Sequence, residues 1–74
     1  MTEKHIKLSP DTVVTFVKKS QQCDFNIDIS YGHTEVDAKS LLGMLSLDFG
    51  HIMHVKYYGK NEDLEGYINE LAVE

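Results

Sequence analysis

From the amino terminus, His5-Ile6-Lys7-Leu8 alternates polar and apolar side chains, the two-residue period of a strand with one buried face. Ser9-Pro10-Asp11 then supplies an N-cap, a proline whose missing N–H costs a first helical turn nothing, and an acid suited to the positive end of a helix dipole. Val13, Val14, Phe16, Val17 and Ser20 follow at helical spacing, with Lys18 and Lys19 in the last turns, which predicts a helix ending near Gln22. Alternation returns where Phe25, Ile27 and Ile29 are interleaved with Asn26, Asp28 and Ser30. Tyr31-Gly32-His33 turns the chain into a second strand containing Val36, a β-hairpin.

From Ser40 the alternation is lost. Ser40-Leu41-Leu42-Gly43-Met44-Leu45-Ser46-Leu47 reads as a short apolar helix with serine as its cap and a glycine that weakens it intrinsically. Asp48-Phe49-Gly50 breaks it, and Ile52 to Tyr58 forms a further strand with Met53, Val55 and Tyr57 on one face. Asn61 caps a last helix striped by Leu64, Tyr67, Ile68 and Leu71, with Glu62, Asp63 and Glu65 in its first turn. The order is βαββαβα, and each strand is apolar on one face only. Helices are therefore expected to cover one face of a four-stranded antiparallel sheet and leave the other wet, an α+β open-faced sandwich in a single domain spanning residues 1–74.

Charge and composition narrow the functional classes. Seven lysines and no arginine face twelve acidic residues, a net charge of −5 that leaves no basic stripe for a phosphate backbone, so nucleic acid is not an expected partner. No apolar stretch approaches the roughly 18–20 residues needed to span a bilayer, and the first residues lack the apolar run of a signal peptide, so a cytoplasmic protein without a membrane partner is expected. The lone Cys23, beside Asp24, reads as a packed thiol rather than a nucleophile. Asp24, Asp28, Glu35 and Asp37 read as a solvated acidic sheet face, and no carboxylate pair has acid/base or metal-loop spacing. Neither an enzyme nor a bound cofactor is expected.

The run Lys39-Ser40-Leu41-Leu42-Gly43-Met44-Leu45-Ser46-Leu47 resembles the regulatory-serine segment of HPr, the phosphocarrier of the bacterial sugar phosphotransferase system. The hairpin before it and the strand and helix after it are similar to HPr in order and length, so the resemblance covers about residues 4 to 72 and implies the same sandwich. It also implies regulatory phosphorylation at Ser40, where a dianion at a helix N-terminus is electrostatically favoured, although Ser40 also serves simply as a cap. The loop after Gly43's helix, at Asp48-Phe49-Gly50-His51, is shorter than in HPr.

The departure lies at the first helix. HPr carries its phosphate on a histidine in a loop before that helix, with an arginine nearby. Here the loop is cut short, and alignment backward from Ser40 places Pro10 at the histidine and Thr12 near the arginine. Carrier chemistry needs a nucleophilic imidazole beside free backbone N–H groups. His5 and His54 are expected on strands, His33 in a turn and His51 near a strand start, away from that helix. With the strand order of HPr, which the resemblance implies and which sets the first and fourth strands side by side, His5 and His54 would point outward from neighbouring strands, where two imidazoles without a third ligand make a weak metal site, so no metal centre is expected.

The resulting expectation is an HPr-like regulatory or adaptor module that does not carry phosphate on histidine. The alternative is a diverged carrier using a relocated histidine. Leu41, Leu42, Met44, Leu45 and Phe49 are expected to form its partner-binding surface, with packing into the core expected more of Leu41, Leu45 and Leu47 than of Leu42, Met44 and Phe49. Candidate partners are phosphotransferase-system enzymes, a serine kinase or a transcriptional regulator.

Overall fold

The computed structural model describes residues 1–73. Their elements follow the expected order: β1 (Thr2–Ile6), α1 (Pro10–Gln21), β2 (Ile27–Tyr31), β3 (Thr34–Asp37), α2 (Leu41–Leu45), β4 (Met53–Tyr57) and α3 (Glu62–Leu71). The strands make one antiparallel sheet in the order β1-β4-β2-β3. Among the described residues, no helix is long and apolar enough to cross a membrane.

β1 begins earlier than the alternation from His5 to Leu8 suggests. It pairs with β4 from Thr2↔Tyr57 to Ile6↔Met53, and beyond Ile6 the chain leaves that ladder, with the Lys7 amide donating to the Leu71 carbonyl. Leu8 is buried all the same, so its place in the pattern records burial without strand pairing. β2 and β3 are joined through Gly32 and His33. Gly32 has φ +55°, in the left-handed region where a Cβ is disfavoured, which suits a two-residue hairpin turn.

The core lies between the sheet and the helices. Ile6, Ile27, Ile29, Met53, Val55 and Tyr57 from the strands meet Val13, Phe16 and Val17 of α1 and Leu64 and Ile68 of α3. β4 is central, and every second one of its side chains is buried. Complete burial of Phe16 alone removes enough apolar surface to contribute about 2–3 kcal/mol. Val14, one position off the Val13–Val17 stripe, is exposed rather than part of the core. Both long helices are capped by the expected side chains: Ser9 Oγ accepts from the Thr12 amide at 3.3 Å, and Asn61 Oδ1 from the Leu64 amide at 2.9 Å.

The opposite face of the sheet is polar and wet. Strand register lays His5, His54, Ser30 and Glu35 in one row across it and Glu3, Lys56, Asp28 and Asp37 in the next. Asp28, Glu35 and Asp37 are thus the solvated acids expected, whereas Asp24 lies in the bend after α1 and not on the sheet.

Candidate functional site

The start of α1 is closed by its own side chains. The Ser9 amide donates to Thr12 Oγ1 at 2.9 Å while Ser9 Oγ accepts from the Thr12 amide, a reciprocal capping box. Pro10 occupies the first turn and brings no N–H. Tyr67 Oη donates to the Thr12 carbonyl at 3.4 Å. Among the described residues, the side chains hydrogen-bonded at this helix start are those of Ser9, Thr12 and Tyr67, with no imidazole in the set.

The four histidines lie where the pattern puts them. His5 and His54 face each other across β1 and β4, with ring centroids 4.3 Å apart and planes at 83°. His33 is in the hairpin turn. His51 stacks on Tyr31 at 4.6 Å, and its Nε2 lies 3.3 Å from Asp48 Oδ2. Tyr31 Oη in turn accepts from the Asp48 amide at 3.1 Å, so this small cluster fixes the loop between α2 and β4. Sequence spacing gave no sign of it, because Tyr31 is far from Asp48 along the chain.

Ser40 caps α2. Its Oγ accepts from the Gly43 amide at 3.1 Å, and its residue is exposed. Gly43 has a packing reason in this place: a Cβ there would stand 3.2 Å from Ser40 Oγ and 3.5 Å from the Val36 side chain. The glycine that weakens α2 intrinsically is what lets the cap and β3 close over its first turn. Lys39 is not free to face Ser40. Its Nζ donates to the Cys23 carbonyl at 2.8 Å, and its amide to Asp37 Oδ1 at 2.9 Å.

The apolar surface differs from the one expected. Met44 is fully buried and Leu47 nearly so, while Leu41, Leu42 and Leu45 are 41%, 83% and 48% exposed. Phe49 is half-buried and packs on the core. Met44 therefore leaves the partner-binding set, and Leu41 and Leu45 are exposed where packing was expected. The reason is geometric: Met44 and Leu47, three residues apart, point inward together, which turns Leu41 and Leu45, four apart, outward beside Leu42. Cys23 is buried, its Sγ donating to the Lys19 carbonyl at 3.6 Å, and burial pushes its pKa up, away from the thiolate that a nucleophile needs.

A family model described as the PTS HPr component phosphorylation site matches residues 12–73. The match opens two residues after Pro10. No curated protein matches the chain. Among solved structures, HPr-C-His from Thermoanaerobacter tengcongensis superposes with a TM-score of 0.75 at 21% identity, over 97% of this chain and 91% of that one. The phosphocarrier HPr of Bacillus anthracis str. Ames gives 0.73 at 21% identity, over 95% of each chain. Crh, the Bacillus subtilis catabolite repression containing protein, described as a swapped dimer, gives 0.64 at 21% identity over 93% of this chain and 87% of that one. These neighbours share the open-faced sandwich, and the family model spans most of the sequence, so the chain belongs to the HPr family of the phosphotransferase system.

Proposed function

We propose that this protein is a regulatory or adaptor member of the HPr family that does not carry phosphate on histidine, and that it acts through Ser40 and the leucines beside it. The observation that carries this reading is the start of α1. The resemblance puts Pro10 at the position of the imidazole, and at this helix start Ser9 and Thr12 cap each other. A carrier needs a nucleophilic nitrogen beside open N–H donors. Here the N–H of the third helical residue is already bound to Ser9 Oγ.

Ser40 supports the regulatory half. It is exposed, and its Oγ already sits at the N-terminus of α2. A kinase would transfer the γ-phosphoryl group of ATP to that oxygen, with the hydroxyl proton passing to the kinase's base and ADP leaving. The dianion formed would meet N–H groups of the first turn and the positive end of its dipole. It would also place charge next to Leu41 and Leu42, and so change which partner that apolar patch accepts. HPr-family proteins work through other proteins, enzymes of the phosphotransferase system among them, and the Bacillus subtilis neighbour named for catabolite repression supports a regulatory class.

The alternative, a carrier with a relocated histidine, is best served by His51, whose ring is oriented by Asp48. The same carboxylate opposes it, because a phosphoryl group arriving at the ring would bring like charge beside Asp48.

Intact-mass analysis tests both. Incubation with an HPr serine kinase and ATP is expected to add one phosphoryl group, mapped to Ser40 and absent from Ser40→Ala. Incubation with phosphoenolpyruvate and the phosphotransfer enzyme is expected to add none. An acid-labile adduct on a histidine would overturn the proposal.

A further inference from the structure

We infer that His5 and His54 form a two-point chelate for a late divalent transition-metal ion, Cu2+ first, on the open face of the sheet. This is independent of the phosphorylation chemistry proposed above. The residues are 49 positions apart in sequence and become direct cross-strand partners only through the β1–β4 register.

The spacing fits metal ligation. Imidazole nitrogens bound at 2.0–2.1 Å put two ring centroids about 4.5 Å apart for ligands at a right angle on one metal, and about 5.2 Å apart for a tetrahedral angle. The observed separation is 4.3 Å, which favours adjacent positions of a tetragonal ion. The planes are nearly perpendicular, and binding would require only rotation of the two rings, with the sheet left in place. Among the described residues, neither ring is tied up in a side-chain hydrogen bond or ion pair that metal binding would have to break.

The surroundings support a cation at this point. Ile52 and Val73 flank the pair and form an apolar wall for the concavity above it. Glu3 and Lys56 in the adjoining row pair with each other at 3.7 Å, so the Lys56 charge is partly matched there. The chain as a whole carries −5, which raises the local concentration of cations. Among the described residues no group of three or more His, Cys, Asp or Glu could hold a metal, so water completes the coordination. Two neutral imidazoles with water select copper over nickel and zinc and exclude the oxygen-seeking calcium and magnesium ions.

The test is titration of the full chain with copper sulfate, followed by visible absorbance and electron paramagnetic resonance. One Cu2+ per chain is expected, with hyperfine structure from two nitrogens. His5→Gln and His54→Gln should each weaken binding by about tenfold or more, since a chelate becomes a single ligand. His33→Gln and His51→Gln should leave it unchanged. Equal losses in all four variants, or binding that survives removal of both His5 and His54, would overturn the site. A second measurement needs no substitution: Cu2+ should protect His5 and His54, but not His33 and His51, from diethylpyrocarbonate in the wild-type chain, and any other pattern of protection counts against the chelate.

Discussion

At the scale of single residues, Ser20 is the clearest departure from economical design. It lies on the buried stripe of α1 with no exposure, and its Oγ finds no hydrogen-bond partner among the described residues. An unpaired buried hydroxyl costs about 1–3 kcal/mol, while alanine at the same site is a better helix former and leaves only a small void. Ser20→Ala is therefore expected to stabilise the protein by about 1 kcal/mol, read as a higher urea midpoint with an unchanged slope. The helical spacing of Ser20 was legible in the sequence; its lack of a partner was not, because that depends on which atoms surround it. Gly59 shows the same limit. Its φ of +147° and the Phe25 ring lying directly against it leave no room for a Cβ, a fact set by a residue thirty-four positions away.

At the scale of elements, α2 carries the candidate site and is the least self-sufficient piece of the fold. A helix of five residues cannot persist by its own propensity, since nucleation costs more than so few hydrogen bonds return. What holds it is the burial of Met44 and Leu47, the Ser40 cap at its start, and the Ser46 hydroxyl donating to the Gly43 carbonyl at 2.6 Å near its end. Met44→Ala is expected to cost about 2–5 kcal/mol in chemical denaturation. Leu42→Ala should change stability by less than about 0.5 kcal/mol and instead weaken capture of a partner on this surface. Equal destabilisation by both would show that Leu42 is packed. The existence of α2 could be read from its apolar run and its serine. Its inward side could not, because little more than one turn of leucine and methionine contains no polar stripe to mark the outside.

At the scale of the whole molecule, burial couples the fold to alkaline pH. Burial pushes the Cys23 thiol above its ordinary value of 9.0, and burial with the nearby Glu65 carboxylate pushes the Tyr57 phenol above 10.0. In the folded chain each group keeps its proton at a pH where the unfolded chain releases it. The unfolded state then binds fewer protons, and stability falls as pH rises. The contribution is fully present below about pH 9 for Cys23 and about pH 10 for Tyr57, and is lost as pH climbs through the raised values. Urea midpoints measured between pH 7 and pH 10.5 should stay level at first and then decline, and Cys23→Ala should remove the earlier part of the decline.

The order of elements, their caps and the one-sided strands follow from local chemistry, since periods of two and of 3.6 residues and the preferences of serine, asparagine and proline act within a few positions. The features on which the proposed regulatory reading rests are equally local: proline at position 10 and the absence of arginine are facts of the sequence. Tertiary structure decided the rest. It set β1 three residues earlier than the alternation suggested, and turned Leu41 and Leu45 outward while Met44 went in. It also stacked His51 on Tyr31 and fixed the register that sets His5 directly opposite His54. Each of these depends on strand register and on which side of an element is buried. Those choices are made by apolar contact between segments far apart in the chain, where sequence spacing has no influence.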